Sequence, residues 1–110
     1  MKSSKLEVNS KNKHGRTPLH FASRKGHVAI MALLITAGAD VDATDYYGAT
    51  PMHMSAIQGN TEAIEFLLSK GANPELKDCC GETALDWAIT RRDFYGKDSK
   101  AVEILTHLTK

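Results

Sequence analysis

The chain of 110 residues carries five histidines, two cysteines and thirteen carboxylates that could do chemistry. His20 and His53 come first, because two imidazoles can share a metal or relay a proton. They lie 33 residues apart, and no Glu or Cys ligand set accompanies them. Cys79 and Cys80 are adjacent. Neighbouring cysteines are poorly placed for an ordinary disulfide, and two thiols do not complete a four-ligand zinc site. They read as reduced thiols of a cytosolic or nuclear protein. A redox or metal role would need a depressed thiol pKa, and only Lys77 stands near in sequence. Glu62 and Glu65, three apart on a helix, read as solvated surface acids rather than an acid–base dyad. No Gly-rich phosphate loop, G-x-S-x-G or H-E-x-x-H occurs. The expectation is no catalysis, no cofactor and no metal.

The 33-residue interval between the histidines belongs to a larger pattern. HGRTPLHFA from His14 returns as YGATPMHMS from Tyr47 and as CGETALDWA from Cys80. Leu33-Leu34 through Gly38-Ala39-Asp40 returns as Phe66-Leu67 through Gly71-Ala72-Asn73. A fixed period of this size marks a stacked repeat. In the second copy, Asp45-Tyr46-Tyr47-Gly48 makes a turn. Thr50-Pro51 then starts a helix, with Thr as N-cap and Pro at the first helical position. Met52, Ser55 and Ala56 form a narrow buried stripe. Gly59-Asn60-Thr61 ends that helix and caps a second one, whose apolar face is Ala63, Ile64, Phe66, Leu67 and Leu68 and whose stop is Gly71. Neither helix can bury its face alone, so the units must stack.

The phase divides the chain into an N-terminal segment, 1–11, and repeats at 12–44, 45–77 and 78–110. Leu6-Glu7-Val8-Asn9 aligns with Ala39-Asp40-Val41-Asp42, so the chain opens on the last residues of a preceding unit. That is either a natural frayed start or an excerpt of a longer array. In the third copy, Ala84 replaces Pro, Asp86 replaces His, and Trp87 stands where Phe21 and Met54 stand. Five inserted residues within 91–98 delay the last helix, which Asp98 or Ser99 can cap. They are expected in the inter-helix loop, as a tolerated surface loop or a contact point using Phe94 and Tyr95. Thr106, His107 and Thr109-Lys110 suit a solvent-facing end of the stack.

The bulk composition is that of an ordinary globular domain, 42% hydrophobic and 25% charged. A net charge of +1 excludes a globally basic nucleic-acid binder. The charge is segregated: +6 in residues 1–37, −5 in 38–76 and 0 in 77–110. The apolar run Ala29–Ala39 is too short to span a bilayer. Met1-Lys2-Ser3-Ser4-Lys5 is not followed by the apolar stretch of a secretory leader.

The unit D-x-x-G-x-T-P-L-H, present in three variant copies over about residues 9–110 and in phase with a G-A-D/N that occurs twice, resembles an ankyrin repeat. The insertion, Met52 and Met54, and the paired cysteines set it apart from a consensus-designed protein of that kind. The resemblance implies an all-α repeat solenoid of stacked helix-turn-helix repeats joined by β-hairpin loops. Hairpin tips and first helices would line a concave face. It also implies that His20 and His53 are structural, bonding within and between repeats.

The family's variable positions map onto Lys13, His14, Arg16, Arg24 and Lys25 in the first copy. In the second they are Tyr46, Tyr47, Ala49, Ile57 and Gln58; in the third, Cys79, Cys80, Glu82, Thr90 and Arg91. This strip runs from basic through two aromatics to mixed polar. Tyr is enriched at interface hot spots, and two at one turn tip have no fold-level reason to be there, although either could pack on the neighbouring hairpin. The expectation is a monomeric, non-catalytic protein-binding scaffold whose partner is a protein or peptide with acidic residues. Two alternatives are the targeting or regulatory domain of a larger enzyme or channel, and a weak nucleic-acid or anionic-lipid contact through the basic first repeat.

Overall fold

The computed structural model describes the backbone of residues 8–95 and 100–108, with side chains for 8–90 and 100–106. Six helices form three pairs among them: α1 (Pro18–Lys25) with α2 (Val28–Thr36), α3 (Pro51–Gln58) with α4 (Thr61–Ser69), and α5 (Ala84–Tyr95) with α6 (Lys100–Leu108). First helices pack on first helices, α1 on α3 and α3 on α5. The second helices form an outer row, α2 touching α4 and α4 touching α6. The stack measures 49 × 25 × 24 Å.

Local sequence explains where the first helices begin. Thr17 and Thr50 are extended N-caps whose side chains accept the N–H of His20 and His53, and Pro18 and Pro51 supply the first turn. The histidine, at the third helical position, returns the bond: its Nδ1 accepts the N–H of Thr17 at 3.0 Å and of Thr50 at 3.1 Å. This is a capping box in which imidazole takes the place of Glu or Gln.

The helix ends are equally local, and they explain the insertion. Gly26 and Gly59 stop α1 and α3 in the left-handed region, at φ 72° and 71°. In the third repeat Arg92 occupies the phase of those glycines. With no glycine to turn the chain, α5 runs to 12 residues where α1 and α3 have 8. The inserted residues through Tyr95 therefore prolong the helix instead of entering a loop. Residues 96–99, including the Asp98 or Ser99 cap, lie outside the described residues, as do the side chains of Arg91, Phe94 and Tyr95.

A single core runs along the stack: Leu19, Met31, Met52, Ile64, Leu67, Ala88 and Leu105 are buried in it. Each large side chain there contributes roughly 1.5–3 kcal/mol of burial. Ala22, Ser55 and Ala88, one repeat apart, are all buried and small, which lets the first helices approach closely. Helix α3 is buried from Pro51 to Ala56, a broader face than one stripe, because it lies between two neighbours. At the other extreme, the outer face of the first repeat shows Phe21, Ile30 and Leu33 to solvent. Met54 and Ala63, the counterparts of Phe21 and Ile30, are buried.

The turns differ from the expected hairpins. Each tip closes on itself, with Asp45 N–H donating to Ala49 O at 2.9 Å and Asp78 N–H to Glu82 O at 2.8 Å. The described residues contain no strand. Successive tips are joined by one backbone bond each, Tyr46 N–H to His14 O (3.1 Å) and Cys79 N–H to Tyr47 O (2.8 Å).

Candidate functional site

The row of tips is built by one device used three times. Asn12, Asp45 and Asp78 open the turns, and the side-chain Oδ1 of each accepts two backbone N–H groups, two and four residues on. Such Asx turns hold the intervening residues outward. The second carboxylate oxygen is spent on a neighbour. Asp45 Oδ2 pairs with Arg16 Nε at 3.1 Å across the repeat boundary. Asp78 Oδ2 accepts the indole N–H of Trp87 at 3.0 Å. Burial pushes the Asp45 carboxyl up, but the Ala49 N–H, Arg16 and the Tyr47 N–H outweigh it and hold the group below its ordinary value. Asp78 is balanced the same way, with burial opposed by the Glu82 N–H, Trp87 and the Cys80 N–H.

The histidines are part of this frame. His20 Nε2 donates to Ala49 O at 2.8 Å, and His53 Nε2 donates to Glu82 O at 2.8 Å. Each ring thus joins its own helix cap to the next turn, with both nitrogens occupied. Trp87 meets His53 edge-on, ring centroids 4.9 Å apart. In the third repeat, Asp86 accepts the N–H and hydroxyl of Thr83 (2.9 and 3.2 Å), which reproduces the cap without a second nitrogen to reach onward.

On this frame the variable residues separate into groups. Tyr46 and Tyr47 project from the central tip, 67% and 54% exposed. The Tyr46 ring also lies against the first tip: a Cβ on Gly15 would stand 2.5 Å from Tyr46 Cδ1. Lys13, His14, Cys79, Cys80 and Glu82 are exposed on the flanking tips. Arg16 is half-buried and neutralised by Asp45, so its role is to tie two tips together. Ala49 is buried and offers no side-chain contact. Thr90 is exposed, its hydroxyl donating to Asp86 O at 3.0 Å.

Arg24, Lys25 and Gln58 gather elsewhere, at the inter-helix edge, where with His27 and Asn60 they line a cavity of about 480 Å³. Ile57, half-buried, precedes Gln58 at the end of α3. His27 and Asn60 were not legible as site residues. Asn60 holds the N-cap position of α4 yet makes no side-chain cap bond. Its carboxamide donates instead to Arg24 O of the preceding repeat at 2.6 Å.

Cys79 and Cys80 are free, exposed thiols. Hydrogen bonding with the Cys79 thiol, then the charges of Cys79 and Asp78, push the Cys80 thiol up. That is the reverse of what a reactive thiolate requires. Among the described residues no three His, Cys, Asp or Glu side chains could hold a metal ion together. No helix among them is long and apolar enough to cross a membrane.

The chain matches the family model described as "Ankyrin repeats (3 copies)" over residues 2–78 and again over 42–109. It is similar to alpha-latrocrustotoxin-Lt1a of Latrodectus tredecimguttatus, 46% identical over 39 residues, which are 36% of this chain and 3% of that protein. The chain therefore spans only a small part of that relative's length. Repeats of this kind are generally non-catalytic protein–protein interaction modules. Helix pairs in series, the paired tips and a match reaching nearly from end to end lead to one assignment: the chain belongs to the ankyrin repeat family.

Proposed function

We propose that this chain is a non-catalytic module that binds a partner protein along its tips and first helices, the concave face of the stack. The supporting observation is the central tip. Tyr46 and Tyr47 expose large rings from a turn braced by Asp45, and one of them rests on a neighbouring glycine. Aromatic anchors already held in place lose little side-chain entropy on binding, which suits hot spots. Lys13, Arg24 and Lys25 add positive charge on the first-repeat side, so the partner surface would be acidic there. Arg16 drops out of that set because Asp45 neutralises it.

The test is a pulldown from the native cell with wild-type and Y46A/Y47A protein, followed by affinity measurement on the captured partner. The double variant should lose on the order of 2 kcal/mol, roughly 30-fold in affinity, while keeping its helical circular dichroism. A folded double variant that binds the same partner equally well would remove this reading.

The electrostatic alternative, nucleic acid or anionic lipid on the first repeat, predicts a steep loss of binding with salt. Asp40, Asp42, Glu62 and Glu65, all within residues 38–76, would repel a polyanion. A targeting or regulatory role within a larger enzyme or channel would use the same surface. Two exposed free thiols fit a reducing compartment, cytoplasm or nucleus, and a single copy of the chain is the expected working form.

A further inference from the structure

The cavity at the inter-helix edge carries a more specific chemistry than the tips. Arg24 and Lys25 end α1, Gly26 turns the chain, and His27 precedes α2; from the next repeat come Gln58, at the end of α3, and Asn60. None of the five side chains lining the cavity is a carboxylate; the Asn60 N–H groups are given to Ser23 O and Arg24 O, which leaves the donors of Arg24, Lys25, His27 and Gln58 to meet a ligand. The two loops are clipped together. Asn60 donates to Arg24 O at 2.6 Å, and a Cβ on Gly26 would stand 3.1 Å from the Asn60 carboxamide. Among the described residues neither Arg24 nor Lys25 takes part in an ion pair.

We propose that this cavity is an oxyanion site that takes a phosphorylated side chain of the partner polypeptide. The inference rests on the protein-binding reading above and names the group that this edge would recognise. A phosphomonoester brings three acceptor oxygens and close to two negative charges, which a guanidinium, an ammonium and neighbouring N–H donors can share. A carboxylate has two oxygens and one charge, and would leave one of the two cations unmatched. A continuous polyanion suits the place poorly. The adjoining cavity, which shares Lys25 and Asn60, is lined also by Glu62, so charge is favourable at one spot and unfavourable beside it. A discrete dianion needs only the spot beside the two cations.

The experiment is a titration of ¹⁵N-labelled protein with phenyl phosphate, followed by amide shifts. Benzoate, a single-stranded oligonucleotide and phosphatidylserine vesicles form parallel arms. Phenyl phosphate should give saturable shifts confined to residues 24–28 and 58–61. Benzoate should bind about tenfold more weakly, as should R24Q/K25Q protein with phenyl phosphate. The glutamine variant keeps the helix-end side chains long and polar, and its melting temperature reports whether it folds. Should it not fold, K25Q alone takes its place. Absence of saturable shifts, equal binding of benzoate, or insensitivity to the substitutions would overturn the proposal. So would stronger binding of the oligonucleotide or vesicles at these same amides.

Y46A/Y47A protein should bind phenyl phosphate as wild type does. The two readings therefore fail separately: loss of the tyrosine effect on the captured partner defeats the first, and a silent cavity defeats only the second.

Discussion

Replacing His20 with alanine should destabilise the boundary between the first two repeats by about 3 kcal/mol. The ring is fully buried. Removing it leaves a cavity, strips the Thr17 N–H of its partner and takes from the buried Ala49 carbonyl one of its two donors, the Asp45 N–H remaining. His20→Gln separates the two effects. Glutamine is a natural capping-box residue, so it can still reach the Thr17 N–H, but not Ala49 O at the same time. It should recover about 1 kcal/mol of the loss. Stability in a stack is nearly a sum over neighbours. Hydrogen exchange should therefore quicken in α1 and α2 while α5 keeps its protection. Uniform protection loss, or no loss, would contradict this account.

The same ring carries a pH dependence. Burial lowers the His20 pKa; the Ala49 carbonyl and Asp45 act against that, while Arg16 and Lys11 reinforce it. The neutral ring fits its bonds, with Nδ1 accepting and Nε2 donating. In the unfolded chain it titrates near the ordinary value of about 6.5. Between the lowered folded value and 6.5 the unfolded state binds more protons. The stabilisation is thus complete above about pH 6.5 and is lost progressively as pH falls towards the folded value. Melting temperature should drop from pH 7 to pH 5 in wild type, and more shallowly in His20→Gln.

The second large effect is expected at Gly48, whose substitution by alanine should cost about 3 kcal/mol, against about 1 kcal/mol for Gly81→Ala. The two glycines have nearly the same backbone, φ +81° and +78°, so the strain of a side chain in the left-handed region is common to both. Their surroundings differ. A Cβ on Gly48 would stand 2.9 Å from Cys79 N and 3.0 Å from Asp78 Cα, whereas Gly81 has nothing within 4 Å. The difference between the variants isolates the backbone-to-backbone stacking of the tips. It should come with loss of protection at the Cys79 amide, which donates to Tyr47 O. Equal melting temperatures for the two variants would show that the tips tolerate separation.

Much of this molecule was legible in its sequence because the information is local. A Thr-Pro pair caps and starts a helix, a glycine in the left-handed region stops it, and an Asx turn needs only its own following N–H groups. The 33-residue echo multiplied each signal by three. The run-on of α5 was also legible in principle, since Arg92 stands in the phase of Gly26 and Gly59. Pairing of Asp45 with Arg16 was not, because the two lie in different repeats and many neighbouring acids could have served. Asn60 shows the same limit: a residue perfectly placed to cap its own helix turns away to clip the loop before it.

The stack of three helix pairs was readable from the repeat alone, and the resemblance to ankyrin repeats implied the structural use of His20 and His53 and the candidate strip. Which of those side chains reach solvent, and which come together, follows from the stacking of the repeats. It withdrew Arg16 and Ala49, left Tyr46 and Tyr47 exposed, and gathered Arg24, Lys25, His27, Gln58 and Asn60 around one cavity. The physical reason is distance. Caps and turns are satisfied by atoms a few residues away, whereas the charge and shape of a binding surface depend on side chains about one repeat apart, which meet only when the repeats stack.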